Sequence, residues 1–126
     1  NFLKKENLHR EKIAMIYIKN LGNVGDIITP SVDDIQISSW HLFVIRTKKR
    51  NSLMTFLKAN GVATVIHYPK PPHLQMAYKS DYKHCKLPIT EILSKQILSL
   101  PIYGYINISE VRHVIKLIKK FFETIK

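Results

Sequence analysis

Cysteine is almost missing from this chain. Cys85 stands alone among 126 residues, which excludes a disulfide framework and any cysteine pair spaced for zinc, and fits a reducing, cytoplasmic compartment. Its neighbours Asp81 and His84 share one polar, loop-like stretch with it, so a surface thiol is expected rather than a nucleophile. No apolar run approaches the length of a membrane span, and the opening Asn-Phe-Leu-Lys-Lys-Glu-Asn is not a signal peptide. That opening also has no initiator methionine and already reads as helix, so the chain is expected to be part of a longer protein. Internal repeats and low-complexity tracts are absent. The six histidines include no i, i+4 pair on one helix with a carboxylate between, which argues against a metal site.

Acidic residues are few as well: nine against twenty lysines and arginines, a formal charge of +11. Such a balance draws anions, whether nucleic acid, an acidic membrane or a phosphorylated small molecule. No basic run interleaves with aromatics as a single-strand groove requires, and no nucleic-acid-binding motif is present, so the lysines read mainly as a solvated face. A non-enzymatic basic module for an acidic partner or nucleic acid is the alternative to the reading developed below.

What is present is enough for one core: the length suits a single domain over residues 1–126, and 45% of the residues are hydrophobic. Residues 3–21 are good helix formers with Ile13, Ala14, Ile16, Tyr17, Ile18 and Leu21 on more than one face, which predicts a helix with two neighbours. Gly22 and Gly25 end it, and Pro30 to Asp34 reads as an irregular connection. Trp40 to Thr47 is apolar on both faces and predicts a central strand. Residues 51–60 predict a helix closed by Gly61, and Val62 to Tyr68 a second strand. A strand, a helix and a strand permit a parallel crossover, or another strand between the two. After a polar loop from Lys79 to Lys86, Pro88 to Leu98 predicts a short helix with Ile92, Leu93 and Ile97 inward, and Leu100 to Tyr103 an extended piece. Asn107 and Glu110 open a last helix whose Val111, Val114, Ile115, Ile118, Phe122 and Ile125 recur at helical spacing. Lysines in its C-terminal half oppose the negative end of the macrodipole. The fold class is therefore α/β, with helices packed on a short sheet.

The most informative stretch is 66–78, Ile-His-Tyr-Pro-Lys-Pro-Pro-His-Leu-Gln-Met-Ala-Tyr. Pro69, Pro71 and Pro72 fix a rigid, non-helical path on which His67, Tyr68, His73 and Gln75 are expected to be presented rather than buried. Elsewhere, His41 is expected to be a satisfied core residue, and Trp40 and Tyr103 packing residues. Arg46 suits a bidentate pair with a carboxylate.

Four blocks in order resemble the DegT/DnrJ/EryC1/StrS family of pyridoxal-phosphate-dependent sugar aminotransferases. They are Arg10-Glu-Lys-Ile-Ala-x-x-Tyr17-x-x-x-Leu21; Trp40-His-Leu-Phe-Val-Ile-Arg46 with Arg50; Gly61-Val-x-Thr64-x-Ile-His67-Tyr68-Pro69 with Pro72-His73-Leu-Gln75 and Ala77-Tyr78; and Leu87-Pro88-x-x-Glu91 with Leu98-Ser99-Leu100-Pro101-x-Tyr103. The resemblance implies the small C-terminal domain of a fold type I transferase, with residues 1–21 as the interdomain helix. The large domain and its Schiff-base lysine would lie upstream, so these residues alone are expected to be inactive. The whole enzyme would be a cytoplasmic homodimer. It would move an amino group from glutamate to a nucleotide-linked keto sugar, closest to the dTDP-3-keto-6-deoxyhexoses, for lipopolysaccharide or another cell-surface polysaccharide. Pyridoxal phosphate is the implied cofactor; neither nucleic acid nor membrane is an implied partner. The implied substrate-binding residues are His67 and Tyr68, with His73 and Gln75 either in the site or in its scaffold. Arg46 would meet the glutamate carboxylate or hold the large domain. Lys70 departs from the usually apolar residue of the family.

Overall fold

Residues 43–46 form the strand β1 (Phe43–Arg46), antiparallel to β2 (Ile97–Leu100) in the register Phe43 to Leu100, Val44 to Ser99, Ile45 to Leu98 and Arg46 to Ile97. This computed structural model describes residues 2–31, 38–78, 80–82 and 84–125. Successive strand side chains face opposite ways, so Phe43, Ile45, Leu98 and Leu100 share one face, each at most 3% exposed. Single antiparallel bridges extend the sheet on both sides, Ile28 to Arg46 and Val65 to Ser99.

The lateral order settles the open pairing. β2 lies between β1 and the Val65 segment, and two antiparallel steps make the outer segments parallel to each other. The expected strand from Val62 to Tyr68 is reduced to that one bridge. The next pair along the ladder would set Ala63 opposite Pro101, whose ring nitrogen has no hydrogen to donate. The same proline places the strand at Ile97–Leu100 rather than Leu100–Tyr103.

Helix α1 (Phe2–Leu21) buries Ile13, Ala14, Tyr17 and Leu21, and Tyr17 stacks on Phe43 with ring centroids 4.9 Å apart. The Tyr17 hydroxyl donates to the Pro101 carbonyl at 3.0 Å, and burial holds this phenol well above its ordinary pKa. Helix α2 (Arg50–Ala59) turns Leu53 and Leu57 inward and ends at Gly61, whose φ of +77° is the left-handed conformation that glycine accepts without strain. Helix α4 (Ile108–Thr124) opens with a capping box in which Glu110 accepts the Asn107 N–H at 2.8 Å. It packs on α1 and α2 and buries Val111, Val114, Ile115, Ile118 and Phe121. Its last turn carries no basic residue, so Lys116, Lys119 and Lys120 sit a turn too early to act strongly on the helix end. Trp40 packs as expected, 8% exposed with its ring 5.9 Å from that of Phe43.

Three packing expectations fail. Helix α3 (Pro88–Gln96) buries Ser94 and leaves Ile92 exposed and Leu93 half-buried, because this short helix makes few contacts with the other elements. Ile97, half-buried, belongs to β2 instead. His41 is exposed, because the chain turns at Trp40 with φ +48° and β1 begins two residues later, outside any alternation that would direct the ring inward. Tyr103 is also exposed, its ring edge-on to Tyr105 and its hydroxyl 3.5 Å from Glu110. The expected irregular connection from Pro30 to Asp34 falls outside the described residues beyond position 31, as do Lys79 and Lys83 of the polar loop.

Candidate functional site

The outer face of the sheet, opposite the core, collects the polar side chains. Ser99 lies on that face opposite Val44, and Val65, bridged to Ser99, shares it. His67, two residues beyond Val65, therefore projects on the same side, and its Nδ1 meets the Ser99 hydroxyl at 2.9 Å. Arg46 occupies this face of β1, on the far side of β2. Adjacent strands are about 4.8 Å apart, so the His67 and Arg46 backbones stand on the order of 10 Å from one another across β2.

His67 is half-buried at the wall of a cleft of about 200 Å³ whose lining includes Thr64, Ser99 and Tyr103. Its Nε2 has no partner among the described residues and is not buried. Tyr68 is 73% exposed, its ring edge-on to the imidazole at 5.8 Å. Tyr68 is presented as the proline path predicts, whereas His67 is only partly so, with Nδ1 turned in to Ser99. Gln75 is exposed too, its amide reaching no further than the Lys70 carbonyl at 3.4 Å.

His73 is not presented. The turn Pro72–Leu74 carries it inward to 5% exposure, where Nε2 lies 3.1 Å from Glu91 Oε1. The same oxygen accepts the Leu87 N–H at 3.2 Å, so one carboxylate joins the proline turn to the start of α3. These two contacts, His73 first, hold the Glu91 carboxyl below the usual carboxylate range. The prolines dictate the path of the backbone, but the 3-10 turn they initiate rotates this ring toward α3.

Arg46 turns toward the last turn of α3, with Nη2 3.4 Å from Gln96 Oε1 and Nε buried without a partner among the described residues. Arg50 goes to the same place. It is 9% exposed, directs Nη1 at the Ser94 carbonyl at 3.4 Å, and has its pKa lowered by burial. Two guanidiniums thus meet the negative end of one helix.

Sequence reasoning gave no role to Ser99, although the signal was present: one hydroxyl in the otherwise apolar run Ile97–Leu100 needs a partner once buried. Asp26 was missed as well. Its carboxylate accepts from the Thr47 hydroxyl and from the Lys48 N–H at 2.8 Å, fixing the corner between β1 and α2. No group of three or more metal-ligating side chains occurs among the described residues, and no described helix is long and apolar enough to cross a membrane.

The chain is similar over most of its length to several known proteins. The dTDP-3-amino-3,6-dideoxy-alpha-D-galactopyranose transaminase of Aneurinibacillus thermoaerophilus is 35% identical over 121 residues, 96% of this chain and 33% of that protein. The crystal structure of S. venezuelae DesV in complex with a ketimine intermediate superposes with a TM-score of 0.88 at 33% identity, over 93% of this chain and 32% of that one. Bacillus subtilis ntda, solved with the bound cofactor PMP, gives 0.85 at 29% identity, over 93% and 28%. The chain thus spans about a third of the length of the relatives it matches. The fold is that of a piece of a fold type I enzyme. The profile of the DegT/DnrJ/EryC1/StrS aminotransferase family matches residues 1–119, and the chain belongs to that family.

Proposed function

We propose that this chain forms the small C-terminal domain of a sugar-nucleotide aminotransferase and supplies one wall of its substrate cleft. The reaction moves the amino group of glutamate to the ketone carbon of a nucleotide-linked deoxysugar, leaving 2-oxoglutarate and an amino sugar. The observation that carries this reading is the unpaired Nε2 of the half-buried His67, held at a cleft wall by a chain of this family. An imidazole and the neighbouring Tyr68 phenol suit the hydroxyl and diphosphate oxygens of such a substrate.

Pyridoxal phosphate would act as electron sink and carry the amino group between donor and acceptor. The described residues do not fit its attachment. Every described lysine is exposed except the half-buried Lys119 on α4, and where a lysine shares a pocket with a carboxylate, Lys4 with Glu11 on α1, both side chains are exposed. The cofactor therefore belongs to the part of the enzyme outside these residues, with α1 leading toward it, in a homodimer. The alternative of a basic binding module has less support, because the lysines are spread over α1, α2 and α4, and a groove such as that of Lys12, Lys19 and Arg112 gathers few of them.

The test is an assay of the full-length protein with a dTDP-linked keto-deoxyhexose, glutamate and pyridoxal phosphate. Glutamate-dependent formation of the amino sugar supports the reading. A full-length protein that binds pyridoxal phosphate but aminates no nucleotide-linked sugar overturns it.

A further inference from the structure

Ser99 makes two attachments to the segment that carries His67. Its backbone N–H donates to Val65 O at 2.8 Å and its carbonyl accepts from Val65 N at 3.3 Å, while its side chain meets His67 Nδ1 at 2.9 Å. One residue therefore fixes both the backbone and the ring. Ser99 is only 6% exposed, and its hydroxyl has no other partner among the described residues. If Nδ1 carried the ring hydrogen and donated it to Oγ, the hydroxyl hydrogen would face no protein acceptor among the described residues and would have to turn to water in the cleft that Ser99 lines. If Oγ–H donates to Nδ1, both groups are satisfied. The neutral imidazole then carries its hydrogen on Nε2, the nitrogen that is neither buried nor paired.

We propose that Ser99 is a positioning residue that fixes His67 as the Nε2–H tautomer and makes it a hydrogen-bond donor to a hydroxyl or phosphoryl oxygen of the substrate. The substrate half of this statement rests on the cleft-wall role given to His67 above; the tautomer half does not. His67 accordingly holds and orients an oxygen, and a role as proton acceptor at Nε2 in the neutral ring is excluded.

The experiment uses full-length protein labelled with 15N-histidine, with His67→Ala to assign the ring. At a pH where the ring is neutral, Nε2 is expected to resonate as the protonated nitrogen and Nδ1 as the unprotonated one. The reverse pattern overturns the proposal. Ser99→Ala is expected to abolish this preference and lower kcat/KM for the nucleotide sugar about fivefold, and Ser99→Thr, which keeps the hydroxyl, to restore both. Loss of activity in both variants with the wild-type tautomer unchanged would make Ser99 a packing residue and overturn the proposal. If His67→Ala leaves kcat/KM unchanged, the cleft-wall reading fails, and the nitrogen spectrum still decides what Ser99 does.

Discussion

His73 Nε2 lies 3.1 Å from Glu91 Oε1, and this contact fastens the proline turn to helix α3. The ring is buried, so His73→Ala removes both a packed side chain and a hydrogen bond. We expect a loss of about 2 kcal/mol, read as a lower urea midpoint with an unchanged slope. An unchanged midpoint would mean that the turn is held by its prolines alone.

Acid should undo the same fastening. Glu91 has a folded-state pKa below its ordinary value, so its contribution is fully present above the usual carboxylate range and is lost as pH falls through the depressed value. Thermal melts of the wild type and Glu91→Gln should differ most near neutrality and converge on acidification below pH of about 4. A gap that widens with acid would reverse the sign of the linkage.

Two glycines separate strain from crowding. Gly61 has φ +77° and open space where a Cβ would stand, so Gly61→Ala should cost only the backbone penalty, about 1 kcal/mol. Gly25 has φ +57°, and a Cβ there would run into the Phe122 ring. Gly25→Ala should cost at least about 2 kcal/mol, by chemical denaturation. Equal costs would show that the Phe122 ring moves aside freely.

Arg50 is a buried cation whose described contacts include no carboxylate. Burial alone pulls its pKa down, so charge is a burden there, and an apolar side chain of similar length should serve as well. Arg50→Met is expected to stay within about 1 kcal/mol of wild type, with Arg50→Ala worse because it leaves a cavity. Calorimetry of the two variants distinguishes them. Equal and large losses would mean that the guanidinium is paired in the full-length protein.

If the full-length protein is the aminotransferase proposed above, with glutamate as donor, His67→Ala should lower kcat/KM for the nucleotide sugar about tenfold, the loss expected when a ligand oxygen loses one of its hydrogen bonds. The value for glutamate in the amino-donor half-reaction should change far less. Equal effects on the two would move His67 from the sugar site to a general structural role.

The helices were legible because their signals are local. Asn107 and Glu110 mark the start of α4, and Gly61 the end of α2, within a few residues of the elements they bound. The lateral order of the sheet was not legible, since it depends on β2 entering between segments that precede it in sequence by some thirty to fifty residues. The same limit applies to the site. Tyr68 could be read as displayed because the prolines beside it set the backbone, whereas the half-burial of His67 depends on Ser99, 32 residues away. His73 could not be read as enclosed, because its enclosure is decided by Glu91, eighteen residues away. A buried histidine and a displayed one look alike until the partner is known.

Between α1 and the cleft there is no slack. The Tyr17 hydroxyl holds the Pro101 carbonyl, and Pro101 follows Ser99 by two residues. A tilt of the long first helix would therefore bear on the strand beneath the imidazole through this phenol, alongside the packing of α1 on Phe43 and α4, as a lever arm passes torque through its pin.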